Sequence, residues 1–400
     1  AIIEMSNPEN DAMNPGTASR SAGPSQARPA PPGGSAVHAV TSVGARVFRQ
    51  DVQSMHAYAI QDSVGMVKLD AMENPYPLPH ALQVELGQRL GALALNRYPD
   101  GRVNDLRTAL AAYAGMPKGF DIMLGNGSDE LIALLALACD VPGASILAPE
   151  PGFVMYAMSA KLQGLAFHGV PLTADFELDE AAMLDAIATH KPAIVYLAYP
   201  NNPTANLWDD AVIEKIIEAQ GAQGAQGGLV VMDEAYQPFA SKSYIDRIHR
   251  HHHVLLMRTL SKFGLAGVRL GYMLGPKALI AEIDKVRPPY NISVLNYECA
   301  LFAIEHADVF AVQAAELRVQ RGLLLGTLAQ LPGVHAFKSE ANMILVRVPD
   351  AAKTFAGLRD HKVLVKNVSK MHPLLDSCLR LTVGTAEENA QLLAALKASL

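Results

Sequence analysis

From about residue 65 onward, short apolar runs alternate with longer helix-like stretches, and no other feature constrains the fold of this chain so tightly. The candidate strands are 122–124, 145–148, 165–170, 194–198, 229–232, 254–257 and 270–274. Between them lie the helical stretches 129–139, 179–190 and 209–220. The last two open on Asp, whose side chain accepts from the free amides of a first helical turn. Strands that are apolar on both faces and separated by helices belong in a mostly parallel sheet covered on both sides. The pattern therefore predicts an α/β fold, a large domain with a mostly parallel seven-stranded sheet sandwiched by helices.

After Arg287-Pro288-Pro289 the character changes. A helical tract over 294–331 leads into strand candidates 343–348, 363–365 and 379–383 and a last helix, which reads as a smaller α+β domain. The expected boundaries are a disordered N-terminal tail at 1–40, an arm or small-domain segment at 41–85, the large domain at 86–290 and the small domain at 291–400. The tail is dense in Pro, Gly, Ser, Ala and Asn, so it cannot offset its own ordering entropy, and Met5 or Met13 could each begin the chain. Residues 221–228 are Gly- and Gln-rich and read as a surface loop.

Bulk properties exclude several classes. With 400 residues and 50% hydrophobic content the chain can bury a large core. A net charge of −6 does not suggest a nucleic-acid or anionic-membrane surface, and no apolar run approaches the ~20 residues that span a bilayer. Cys139, Cys299 and Cys378 lie far apart without a CxxC pair, which fits a reducing compartment and predicts a cytoplasmic protein without nucleic-acid or membrane partners. His249, His251, His252 and His253 lack the carboxylate pattern of an HExxH site, so they read as a solvated connection and no metal is expected. Met155–Met158 and Trp208 read as packing.

In open α/β sheets, ligands bind beyond the carboxyl ends of the strands. The strand at 122–124 runs into Gly125-Asn126-Gly127-Ser128-Asp129-Glu130 and a helix, where glycines and free amides can cradle an anion. The strand at 194–198 runs into Tyr199-Pro200-Asn201-Asn202-Pro203-Thr204, either an Asx turn or a held Asn side chain. The strand at 229–232 ends in Asp233-Glu234-Ala235-Tyr236, where Asp233 is a cap or a charge aimed at a bound group. The strand at 254–257 leads into Arg258-Thr259-Leu260-Ser261-Lys262 and on to Arg269; a desolvated lysine near another cation loses proton affinity and exposes a nucleophilic amine. Jointly these ends supply what pyridoxal phosphate needs: an amine for its aldehyde, a carboxylate for its ring nitrogen, donors for its phenolate oxygen and a phosphate site.

Asn201-Asn202-Pro203-Thr204, Asp233-Glu234-Ala235-Tyr236 and Ser261-Lys262 with Arg269 resemble the motifs of fold-type I pyridoxal-phosphate-dependent aminotransferases, over about residue 60 to the C-terminus. Glu73-Asn74-Pro75-Tyr76-Pro77, Asn96-Arg97-Tyr98-Pro99 and Leu379-Arg380-Leu381-Thr382-Val383-Gly384-Thr385 are similar to those of the histidinol-phosphate aminotransferases. The resemblance implies transamination between L-histidinol phosphate and 2-oxoglutarate, in histidine biosynthesis. It implies that Lys262 holds the cofactor as a Schiff base and carries the proton. Asp233 would pair with the ring nitrogen, Tyr236 and Asn202 would donate to the phenolate oxygen, and Phe153 would stack on the ring. Gly127, Ser128, Thr259, Ser261 and Arg269 would complete the cofactor site around its phosphate. Tyr98 would reach that phosphate from a neighbouring subunit, implying a homodimer. Tyr76, Asn202, Arg380 and Lys366 would hold the substrate. Ala205 stands where relatives carry Gly, the segment from Lys262 to Arg269 is one residue short, and Lys366 replaces an Arg. The alternatives are an aromatic or broad-specificity aminotransferase, a threonine-phosphate decarboxylase, or a non-enzymatic cofactor sensor.

Overall fold

A computed structural model describes residues 42–222, 224 and 227–400. The tail expected at 1–40 lies outside these, as do residues 223, 225 and 226 of the Gly-rich loop. Two compact units are defined, one ending at Ala59 and one running from Ile60 to Leu400. The described part of the first contains two short helices, α1 (Ser42–Val47) and α2 (Gln50–Gln53).

The second unit opens with β1 (Val67–Lys68), α3 (His80–Gly91) and α4 (Arg102–Ala114). The alternation expected from sequence follows: β2 (Phe120–Gly125), α5 (Gly127–Ala138), β3 (Ser145–Glu150), α6 (Met155–Gln163), β4 (Ala166–Pro171) and α7 (Glu180–His190). It continues through β5 (Ile194–Ala198), α8 (Asp210–Gly221), β6 (Leu229–Asp233), β7 (Val254–Thr259), β8 (Gly271–Pro276) and α9 (Lys277–Asp284). Asp179 and Asp209 cap their helices, Asp179 accepting from the Ala182 amide at 3.0 Å and Asp209 from that of Ala211 at 2.7 Å.

Strands β2 to β8 form one seven-stranded sheet in the order β2-β8-β7-β6-β5-β3-β4. Only β8 runs against the others, pairing antiparallel with both β2 and β7. The carboxyl ends of β2, β3, β5, β6 and β7 therefore share one edge. Along β5 the side chains alternate between two cores, Val195 and Leu197 on one face, Ile194 and Tyr196 on the other. Burial on both faces is why these strands read as unbroken apolar runs rather than as alternating ones.

The helical tract expected over 294–331 is two helices, α10 (Val294–Glu305) and α11 (Ala307–Leu328). The break falls at His306, with φ −112° and ψ 32°. α10 packs into the core that contains α4, whereas α11 contributes Leu317, Leu324 and Leu328 to a separate core. That core holds a four-stranded antiparallel sheet, built from β9 (His335–Ala336), β10 (Met343–Arg347), β12 (Lys366–Asn367) and β13 (Cys378–Thr382). α12 (Ala351–Asp360) and α13 (Ala386–Ser399) cover it, and β11 (Val363–Leu364) pairs in parallel with β1. The segment after β1 is tied to this layer by the Met72 amide, which donates to Thr382 Oγ1 at 3.0 Å, and by Asn342 Nδ2, which donates to the Met72 carbonyl at 2.9 Å.

Candidate active site

At the end of β2 the chain turns through Gly127, whose φ of +74° few side chains tolerate. A Cβ there would stand 2.6 Å from Arg269 Nη2. A Cβ on Gly271 would stand 2.7 Å from the Gly127 carbonyl carbon and 2.8 Å from the Ser128 nitrogen. Two glycines thus let a guanidinium, the first amides of α5 and the start of β8 crowd together. Arg269 Nη1 donates to Ser261 Oγ at 3.2 Å, and Thr259 Oγ1 accepts from the Ser261 amide at 3.1 Å. A cation, hydroxyls and the positive end of a helix are the chemistry of a phosphate cradle. Gly127, Ser128, Thr259, Ser261 and Arg269 are brought together as the sequence motifs implied.

At the end of β6, Asp233 is 4% exposed. Its Oδ2 accepts from the Tyr156 hydroxyl at 2.6 Å and its Oδ1 from the Ala235 amide at 3.1 Å. Among the described residues no lysine or arginine forms an ion pair with it. Burial pushes its carboxyl up to about 6, against the two hydrogen bonds that favour the ionised form. A buried carboxylate without a cation is costly and is suited to a cationic ring nitrogen.

After β7, Lys262 Nζ donates to the Ala71 carbonyl at 2.7 Å and lies 5.8 Å from the centroid of the buried Tyr236 ring. Burial first, and the Arg380 charge second, bring this amine down to about 8, so roughly a tenth of it is unprotonated at neutral pH, far more than in a solvated lysine. Arg380, on β13, donates through Nη1 to Asn202 Oδ1 at 2.8 Å and through Nη2 to the Asp70 carbonyl at 2.8 Å. Lys366 is its direct cross-strand partner, so both cations stand on one face of the small sheet. The Tyr76 amide bonds Asn74 Oδ1 at 2.9 Å, and its half-buried ring packs against the small-sheet core.

Two further implied residues have other surroundings within this chain. Phe153 meets the Tyr156 ring edge-on, with centroids 5.6 Å apart and planes at 88°. Tyr98 is 77% exposed, its ring stacked on Tyr290 at 4.7 Å. Sequence reasoning missed Tyr156, and it also missed Arg258, which donates to the neighbouring Glu234 at 3.0 Å. It missed the Asp70 and Ala71 carbonyls as well. The only signal for Tyr156 was its position three residues after Phe153, at the start of a helix. His251 and His253 are half-buried rather than solvated: His251 Nε2 lies 3.1 Å from Glu214 Oε2 and His253 Nε2 lies 2.8 Å from the Ile217 carbonyl, both on α8. Trp208 is core, its Nε1 donating to the Phe176 carbonyl at 3.0 Å.

The phosphate cradle, the cation-free carboxylate and the low-pKa amine fit pyridoxal phosphate, at the strand ends of a sheet typical of its fold-type I enzymes. A family model for aminotransferase class I and II matches residues 64–396. A histidinol-phosphate aminotransferase of Polaromonas naphthalenivorans is 80% identical over 89% of this chain and 96% of its own length. Another, from Methylibium petroleiphilum, is 70% identical over 89% of this chain and 95% of its own. In fold, the chain matches the Sinorhizobium meliloti histidinol-phosphate aminotransferase solved with pyridoxal-5'-phosphate, at TM-score 0.77 and 23% identity over 88% of this chain and 97% of that one. The chain belongs to the histidinol-phosphate aminotransferase family.

Proposed function

We propose that this protein uses pyridoxal phosphate to move the amino group of L-histidinol phosphate to 2-oxoglutarate, giving imidazole-acetol phosphate and glutamate in histidine biosynthesis. The observation that carries the chemistry is the pairing of a buried amine near pKa 8 with a buried carboxylate that lacks a cation at the ends of adjacent strands. The choice of substrate rests on the relatives and on the two cations, Arg380 and Lys366, facing one side of the small sheet.

Bound there, pyridoxal phosphate supplies an aldehyde for the amino group and a ring that accepts the electron pair left when the Cα proton departs. Lys262 Nζ would take that proton and return it, since burial lowers its proton affinity and leaves more of the amine unprotonated and able to act as a base. Asp233 would keep the ring nitrogen protonated. Tyr236 and Asn202 would donate to the phenolate oxygen, and Phe153 would cover the ring. Arg380 holds the substrate's anionic group with the planar fork that suits phosphate and carboxylate alike, beside Lys366 and Tyr76. Tyr98, exposed at 77%, serves the site of a second subunit in a cytoplasmic homodimer.

The test is single-turnover bleaching of the cofactor absorption by histidinol phosphate against a panel of amino acids. Histidinol phosphate is expected to bleach fastest, with recovery on adding 2-oxoglutarate. Faster bleaching by an aromatic amino acid, or carbon dioxide release without 2-oxoglutarate, would overturn the assignment.

A further inference from the structure

Tyr156 is the second residue of α6, in a stretch whose composition suggests ordinary core. It is 2% exposed, and its ring is held on two sides. One face stacks on Tyr196 at 4.2 Å with planes 8° apart, and Phe153 meets it edge to face. A ring so confined gives its hydroxyl one direction, and that direction is Asp233 Oδ2, at 2.6 Å. With the Ala235 amide on Oδ1, each carboxylate oxygen has one protein donor, and no cation among the described residues pairs with either. Two neutral donors on an acceptor-only group favour its ionised form and fix its plane.

Tyr196 supplies the contrast. It lies in the same stack and is equally buried, yet its hydroxyl has no hydrogen-bond partner among the described residues. A phenol in this stack can therefore stay buried without a partner, although Tyr199 and Tyr244 elsewhere in the core donate to Asp210 and Glu214. The Tyr156 phenol itself is pushed well above its ordinary range by burial and by the Asp233 charge, so it stays a donor.

We infer that Tyr156 is a positioning residue for the transamination: its hydroxyl holds Asp233 ionised and oriented toward the cofactor's ring nitrogen, while its ring sets the tilt of Phe153. The inference rests on the reading that Asp233 serves that nitrogen. One side chain would thus align the two groups expected to contact the pyridine, its edge and its face.

The experiment compares wild type, Tyr156→Phe and Tyr196→Phe, each loaded with pyridoxal phosphate carrying 15N in the ring. Phenylalanine keeps both ring contacts, so packing is retained. For Tyr156→Phe the 15N resonance should move from the protonated toward the unprotonated position. The cofactor Kd should rise about tenfold or more, the worth of a hydrogen bond to a charged group, and kcat should fall with KM little changed. Tyr196→Phe should match wild type in resonance and Kd. If Tyr156→Phe lowers only Tm and leaves resonance and Kd at wild-type values, Tyr156 is merely structural and the inference fails. If the wild-type ring nitrogen is itself unprotonated, the reading of Asp233 fails with it, and the two failures are told apart by the wild-type spectrum.

Discussion

Asp233 and Glu234 are neighbouring carboxylates at the end of the same strand, both almost inaccessible, and they are treated in opposite ways. Glu234 accepts from Ser243 Oγ at 2.8 Å, from the Tyr244 amide at 2.6 Å and from Arg258 at 3.0 Å, and Arg258 comes from the adjacent β7. Its charge is closed within the protein. Asp233 receives two neutral donors and, among the described residues, no cation. Alternation along the chain sends the two side chains to different surroundings: Glu234 joins the polar cluster with Arg258 and Ser243, Asp233 the edge where the Lys262 and Arg269 segments arrive. Where a buried charge is complete, it ties elements together; where it is left open, it awaits a ligand.

The largest effect expected from breaking this comparison is on activity. Asp233→Asn should lower kcat/KM about 10²- to 10³-fold, the usual cost of removing one preorganised electrostatic group. Glu234→Gln should instead cost stability, about 3–5 kcal/mol, because Arg258 is left buried without its partner. Urea unfolding of the two variants distinguishes the outcomes, and comparable Tm losses with comparable residual activity would contradict the division of labour.

The same pair can be sharpened by pH. Asp233 sits near 6 in the fold against an ordinary 3.8, so the cofactor-free protein binds a proton more tightly than the unfolded chain does. Its stability should therefore fall as pH rises from about 4 to 6, by on the order of 3 kcal/mol, and stay flat above. Cofactor-free Asp233→Asn should be more stable than wild type at pH 8, with the difference vanishing near pH 4; a difference of the same size at both would contradict the unpaired state of Asp233.

A smaller effect is expected in kinetics. Lys262 near 8 implies that the rate of cofactor uptake climbs with pH and levels off above about 8. Continued rise toward pH 10 would mean an ordinary solvated lysine.

Much of this was legible in the sequence because strand ends in an α/β sheet carry the chemistry. Asp233, Asn202 and Lys262 could be located by the apolar runs before them. The strand limits were read short at β6 and β7, since Asp233 and Thr259 extend the ladder with polar residues that an apolar run excludes. The break at His306 was invisible: neither Gly nor Pro marks it, and helical composition continues through it. Tyr156 was hidden by a Met-rich neighbourhood that reads as packing, and the Asp70 and Ala71 carbonyls were hidden because backbone acceptors have no residue signature. The turn with Ala205 in place of Gly was legible as a conflict, and the structure shows how it is met, with φ at +64° and the methyl fully buried. The peptides before Pro200 and Pro203 are both cis, an isomer that the residue pattern does not announce.

The account depends most on which amine holds the cofactor. Borohydride reduction of the loaded protein, followed by peptide mapping, should place the pyridoxyl group on Lys262 and leave Lys262→Ala unlabelled. Label on Lys366, or on any surface lysine with Lys262 unmodified, would contradict it.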